Sequence, residues 1–222
     1  MKTDLELQKD VMEELKWQAS IKPEQIGVSV KNGIVTLSGV VDNYSQKREA
    51  ENAVLALEGV KAVAEDLEVQ PFPGSMRTDT EIAEAAVHTL NWHSLIPQGK
   101  VRIRVENGWI TSEGTVDWMY EKNAVKNALS HLPGVKGITN LVTVAARIND
   151  ADVKEKIKAA FERNAGIDAN KIHVEHEGTK VILTGTVRSY AERLDAEKTA
   201  GNAPHVTCVE NLLEVKIPSY AS

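Results

Sequence analysis

Metal binding and acid, base or nucleophilic catalysis depend on histidine, cysteine and carboxylate side chains held close together, and this sequence groups few of them usefully. Of its six histidines, the only dense cluster is His173-Val174-Glu175-His176. Alternate side chains of a strand share a face, so His173 and Glu175 would point one way and His176 the other; a shared ion would need a bulge. These are read as solvated strand residues, and His88 and His93, at a helix end, make no better site. Cys208 is the single cysteine, which excludes an intrachain disulfide and a multi-cysteine zinc site. With no Lys, Arg or His within two residues to stabilise a thiolate, it is expected to be a small, half-buried packing residue near the start of the last strand. The chain contains no phosphate-binding loop, dinucleotide glycine fingerprint or nucleophile elbow. The expectation is therefore no catalytic residue, no cofactor and no metal.

Binding chemistry is better represented. In Val101-Arg102-Ile103-Arg104-Val105 the aliphatics alternate with arginines, so a strand here would bury the former and present the latter on its other face. Trp109, Thr111 and Glu113 would join them across a hairpin. Indole and guanidinium groups together suit a phospholipid surface, where rings lie at headgroup depth and cations pair with phosphate. The competing reading packs Trp109 against a neighbouring part of the chain and pairs the arginines with acidic residues, because exposed aromatic patches usually mark protein contacts. Arg102, Arg104, Trp109 and Trp118 are the candidate lipid or partner surface.

The elements that position these residues belong to a repeat. Val30-Lys31-Asn32-Gly33-Ile34-Val35-Thr36 returns 75 residues later as Val105-Glu106-Asn107-Gly108-Trp109-Ile110-Thr111. Gly39 and Gly114, Gly59 and Gly134, and Trp17 and Trp92 keep the same offset. A third, more divergent copy follows at an offset of 71, aligning Gly185 with Gly114 and Leu213-Glu214-Val215 with Val142-Thr143-Val144. Its hairpin turn, Glu175 to Lys180, reads as two residues longer, and His205 stands where the other copies have glycine. The 222 residues thus divide into modules at 1–70, 76–145 and 148–218, with a Pro- and Gly-containing linker at 71–75. Modules of this size sit near the lower limit for an independent core, so neighbours are expected to support one another.

Each copy reads as helix, strand, strand, helix, strand. Leu7, Val11 and Leu15 form one narrow apolar stripe, matched by Ile82, Ala86 and Leu90 and by Val153, Ile157 and Phe161. Thr3 or Asp4, Thr78 or Asp79, and Asn149 or Asp150 are the N-cap candidates. Asn32-Gly33, between alternating segments, predicts a type I′ hairpin. Ala50, Ala53, Val54 and Leu57 mark the buried side of the second helix, and Gly59 its left-handed end. A helix linking two strands requires a right-handed crossover and hence a parallel pair. The predicted fold class is α+β: three tandem αββαβ modules, each a three-stranded mixed sheet with both helices on one face. Tyr44, Tyr120 and Tyr190 recur after the second strand, near cap candidates Asp42 or Asn43, Asp117 and Ser189, and are expected to pack on the sheet edge.

Charge narrows the choice of partner. With 26 basic and 32 acidic residues the net charge is −6, which argues against a nucleic-acid binder held by phosphate neutralisation. The three modules carry about −5, +1 and −2, counting 1–75, 76–147 and 148–222, so only the middle one is not acidic. No stretch is apolar for long enough to span a bilayer. Asp4, Glu6 and Asp10 occupy the place of a signal peptide's apolar centre, so a cytoplasmic protein is expected, or a periplasmic one if a leader was removed.

Asn107-Gly108-Trp109-Ile110-Thr111, Gly114-Thr115-Val116-Asp117-Trp118-Met119-Tyr120 and Leu132-Pro133-Gly134-Val135 resemble, in order and spacing, the motifs of the BON domain family. This module is named for bacterial osmotic-stress and nodulation proteins and is also called the transport-associated domain. The middle copy departs at Ser112, where leucine is usual. Asn32 to Gly39 with Leu57 to Val60, and Val181 to Val187, carry the likeness in the other copies. The resemblance implies tandem αββαβ modules without enzyme activity, and a proposed role at phospholipid or membrane surfaces under osmotic or envelope stress. A protein partner or a second copy of the chain is the alternative.

Overall fold

The structure is a computed structural model, and it describes residues 2–145 and 153–216. In the first module, α1 (Asp4–Trp17) leads to the hairpin of β1 (Ile26–Lys31) and β2 (Ile34–Val41), then α2 (Tyr44–Leu55) and β3 (Ala62–Val69). The second has α3 (Asp79–Trp92), β4 (Val101–Glu106), β5 (Trp109–Val116), α4 (Met119–Leu129), β6 (Gly137–Asn140) and β7 (Thr143–Val144). The third repeats this with α5 (Val153–Glu162), β8 (Ile172–Glu177), β9 (Lys180–Val187), α6 (Tyr190–Gly201), β10 (Cys208–Asn211) and β11 (Glu214–Val215). In every module the hairpin is antiparallel and the returning strand lies parallel to its second arm. β6 with β7, and β10 with β11, are the two halves of one interrupted third strand.

The first-helix stripes are buried in all three copies, facing Val35, Leu37 and Val54 in the first module and Ile110, Val125 and Leu129 in the second. Both helices therefore cover one sheet face, leaving the other open. Thr3 and Thr78 cap α1 and α3 through reciprocal boxes with Glu6 and Glu81. These boxes, with the threonine groups donating, hold both glutamates below the usual carboxylate range. The neighbouring aspartates, the alternative caps, do something else: Asp4 accepts from the amides of Asn32 and Gly33, and Asp79 from those of Asn107 and Gly108. Each ties a helix start to a hairpin tip. The matching candidates Asn149 and Asp150 lie outside the described residues.

Two readings are corrected. The third hairpin is no longer than the others: Glu177 pairs with Lys180 as Lys31 does with Ile34, leaving two turn residues. Asn32-Gly33 and Asn107-Gly108 have positive φ at both turn positions, whereas in the third copy Gly178 alone does, so the turn type changes and not its length. The offset shrinks because the first linker is longer. The second correction concerns the tyrosines. The N-caps of the second helices are Asn43, Trp118 and Ser189, so Tyr44 and Tyr190 are equivalent to Met119, and Tyr120 stands one residue further on.

Those three first-turn residues make the contacts between modules. Tyr44 packs against the core of the second module, Ser45 Oγ donates to the carbonyl of Ser130 at 2.9 Å, and Arg48 approaches Asn127 at 3.5 Å. Met119 lies against Gly201, where an added Cβ would come within 3.0 Å of its Cγ, and Tyr190 packs on the core of the first module. Leu55, Ser130 and Gly201 occupy one equivalent position at the end of the second helix, and all three are buried. The crossover helices thus meet start to end, with the third contact closing on the first module. Partial positive charge at each helix start faces partial negative charge at the next helix end, and Ser45 satisfies one otherwise free terminal carbonyl.

Candidate functional site

The four candidate residues separate into two places. Arg102 and Arg104 project from β4 on the open sheet face, while Val101, Ile103 and Val105 pack on the core. Neither arginine has an ion pair among the described residues, although Glu113 is the register partner of Arg102. Trp109, first in β5, lies beside Gly137 of β6, where a Cβ would overlap its six-membered ring. Its Nε1 donates to Thr139 Oγ1 at 2.8 Å, and 49% of the residue remains exposed. The indole is thus fixed flat on its own sheet with about half of the residue exposed. The equivalent pairs are Ile34 with Ala62 and Lys180 with Cys208, so only the middle copy carries this ring.

Trp118 sits elsewhere. It stacks with Tyr120, ring centroids 6.3 Å apart, and faces His205 of the third module at 6.4 Å. His205 holds φ +69 where Gly59 and Gly134 have +105 and +82, a conformation that costs a non-glycine residue about 1 kcal/mol or more. Its Nδ1 is buried without a hydrogen-bond partner. A strained, polar residue is kept where it meets an aromatic ring across the contact between two modules. Trp118 is therefore a residue of that contact and does not belong to the arginine face.

Cys208 is exposed, not half-buried. Register explains this: it pairs with Lys180 on the open face, and Val209, one residue on, turns toward the core. His173 and Glu175 also face solvent, while His176 is partly covered. No group of three or more metal-ligating side chains occurs among the described residues, and no helix among them is long and apolar enough to cross a membrane. Two indoles that sequence reasoning used only as repeat markers prove to be the most exposed: Trp17 at 84% and Trp92 at 79%, each ending a first helix, with His88 stacked on Trp92. Their signal was available, since both lie off the buried i, i+4 stripe.

Comparison with known proteins agrees with this architecture. The chain is 28% identical over 125 residues to osmotically-inducible protein Y of Escherichia coli K12, a match covering 54% of this chain and 62% of that protein. It therefore spans less than two thirds of that relative. Two structures of CdsD, a structural protein of the Type III secretion system of Chlamydia trachomatis, align over 95% and 97% of this chain and 92% and 100% of theirs. At 15% and 14% identity and TM-scores of 0.28 and 0.27, they are too distant to bear on shape or function. The BON domain model matches three times, at residues 3–71, 78–146 and 149–217. With nearly its whole length accounted for by these three copies, the chain belongs to the BON domain family.

Proposed function

We propose that this is a non-enzymatic binding protein of the osmotic or envelope stress response, whose middle module meets the anionic headgroups of a phospholipid surface. The observation that carries this reading is the indole of Trp109, held flat and half-exposed on the open sheet beside two arginines that have no ion pair among the described residues. Attraction of about 1 kcal/mol per basic residue makes such binding weak and salt-sensitive. The likeness to an osmotically inducible protein supports the setting. Co-sedimentation with vesicles of phosphatidylcholine alone, or mixed with phosphatidylglycerol, is expected to recover the protein only with the anionic lipid. Arg102→Ala combined with Arg104→Ala should weaken recovery about thirtyfold, and Trp109→Ala should weaken it as well. Equal recovery on both vesicles, or loss on Trp92→Ala with none on the arginine change, would refute the assignment to this face.

A second reading, protein interaction or self-assembly without lipid contact, is favoured by Trp118, which shows an aromatic of the same module already used between modules. Under that reading Trp109→Ala alters partner recovery in a pull-down and leaves vesicle binding at background.

A further inference from the structure

The three contacts between modules are one contact used three times. The first residue of a crossover helix (Tyr44, Met119 or Tyr190) is the projecting member: Ser45, beside Tyr44, bonds Ser130, Met119 lies on Gly201, and Tyr190 packs on the module 1 core, where the equivalent position is Leu55. Two of these contacts join modules that follow one another in the chain. The third joins module 3 to module 1, with a whole module of sequence between them. Among the described residues it is also the most sparely built. Both intermodule hydrogen bonds described above belong to the first contact, and the second adds Trp118 on His205. The closing contact rests on the ring of Tyr190, braced on its own helix by Arg193, whose guanidinium carbon lies 5.2 Å from the ring centroid.

A contact that repeats head to tail has two ways to end. It closes on itself, or it continues into another molecule carrying the same surfaces. We propose that the module 3 to module 1 contact is a docking surface for a second copy of this chain: Tyr190 of one molecule enters the Leu55 position of another whenever the internal closure is open. The argument is continuity with the two internal contacts, which show that these surfaces fit each other. Tethering gives the internal partner an effective concentration in the millimolar range, so closure prevails in dilute solution and exchange between molecules rises as concentration approaches that range. This inference stands apart from the arginine face of module 2.

Complementation provides the test. Tyr190→Ala removes the projecting ring and keeps the receiving position; Leu55→Lys does the reverse, and Leu55→Glu does so with the opposite charge. Each variant can neither close its own ring nor pair with itself. By sedimentation velocity each alone is expected to stay monomeric, while an equimolar mixture of Tyr190→Ala with either Leu55 variant forms a one-to-one dimer. Because internal closure no longer competes, that dimer should appear at concentrations at least tenfold below those at which wild type self-associates. A mixture that sediments as the sum of two folded monomers overturns the proposal, as does self-association of either variant alone. Far-ultraviolet circular dichroism matching wild type confirms that the variants are folded.

Discussion

Gly114→Ala is expected to unfold the middle module, lowering its midpoint by about 15 °C or more in thermal denaturation followed by circular dichroism. Gly114 lies inside β5, opposite Val101, with φ +143. A Cβ there would penetrate the carbonyl oxygen of Lys100 and crowd the Cα of Val101. Both obstacles are backbone, held by the hairpin ladder, so neither can swing aside. The same geometry recurs at Gly39 against Gln25 and at Gly185 against Lys171. Backbone strain of about 1–3 kcal/mol for alanine at such φ adds to the overlap, and the total is comparable with the stability of a module of about 70 residues. Gly99→Ala is the contrast: φ is +74 but nothing lies within 4 Å, so only the strain remains and a shift of a few degrees is expected. Similar midpoints for the two variants would show that the close backbone approach does not matter.

That glycine also shows where sequence reading stops. Gly39, Gly114 and Gly185 were visible only as repeat markers, and the reason for them lies in a carbonyl 14 residues earlier in the chain. Alternation and the i, i+4 stripes were legible because burial on one face is a local rule, and so were the Asn-Gly turns. The same rule placed Arg102, Arg104 and Trp109 together. It could not place Trp118, whose surroundings come from the next module, nor reveal the flat seat made by Gly137, which depends on parallel register across a crossover. Leu55, Ser130 and Gly201 share a role but no chemistry, so residue type hid the contact; likewise Tyr120 drew attention away from Met119. Cys208 was misplaced because its face is set by a one-residue parity.

One position in the third strand predicts opposite outcomes in two modules. Asn140 accepts from the Val142 amide at 3.2 Å and from Ser112 Oγ at 3.1 Å, and its Nδ2 donates to the carbonyl of Lys122 at 2.8 Å. Asn211 reproduces the bracket with Leu213 and Arg193. By drawing the amide of the next-but-one residue away from the ladder, the asparagine divides the strand, whereas β3, with Glu65 at this position, runs unbroken. Asn140→Ala leaves the Val142 amide and Ser112 Oγ without the acceptor that Asn140 supplies, at a cost of about 2 kcal/mol, and should lower the midpoint of module 2 by roughly 8 °C or more. Glu65 is the unfavourable version: its Oε1 is buried with no partner, and Lys47 approaches its other oxygen only to 3.8 Å. Burial pushes its carboxyl up from the ordinary glutamate value, and the Lys47 charge offsets this only in part. A raised acid in the folded state means that the native module holds its proton more tightly than the unfolded chain, so stability falls as pH rises from that ordinary value through the folded one, then levels. Glu65→Asn removes the charge and supplies a donor aimed at the Lys47 carbonyl. The variant's advantage in midpoint should therefore widen with rising pH across that window and stay constant above it. An advantage that does not change between acidic and neutral pH, or none at all, would show that the buried carboxylate is not what separates this module from its two neighbours.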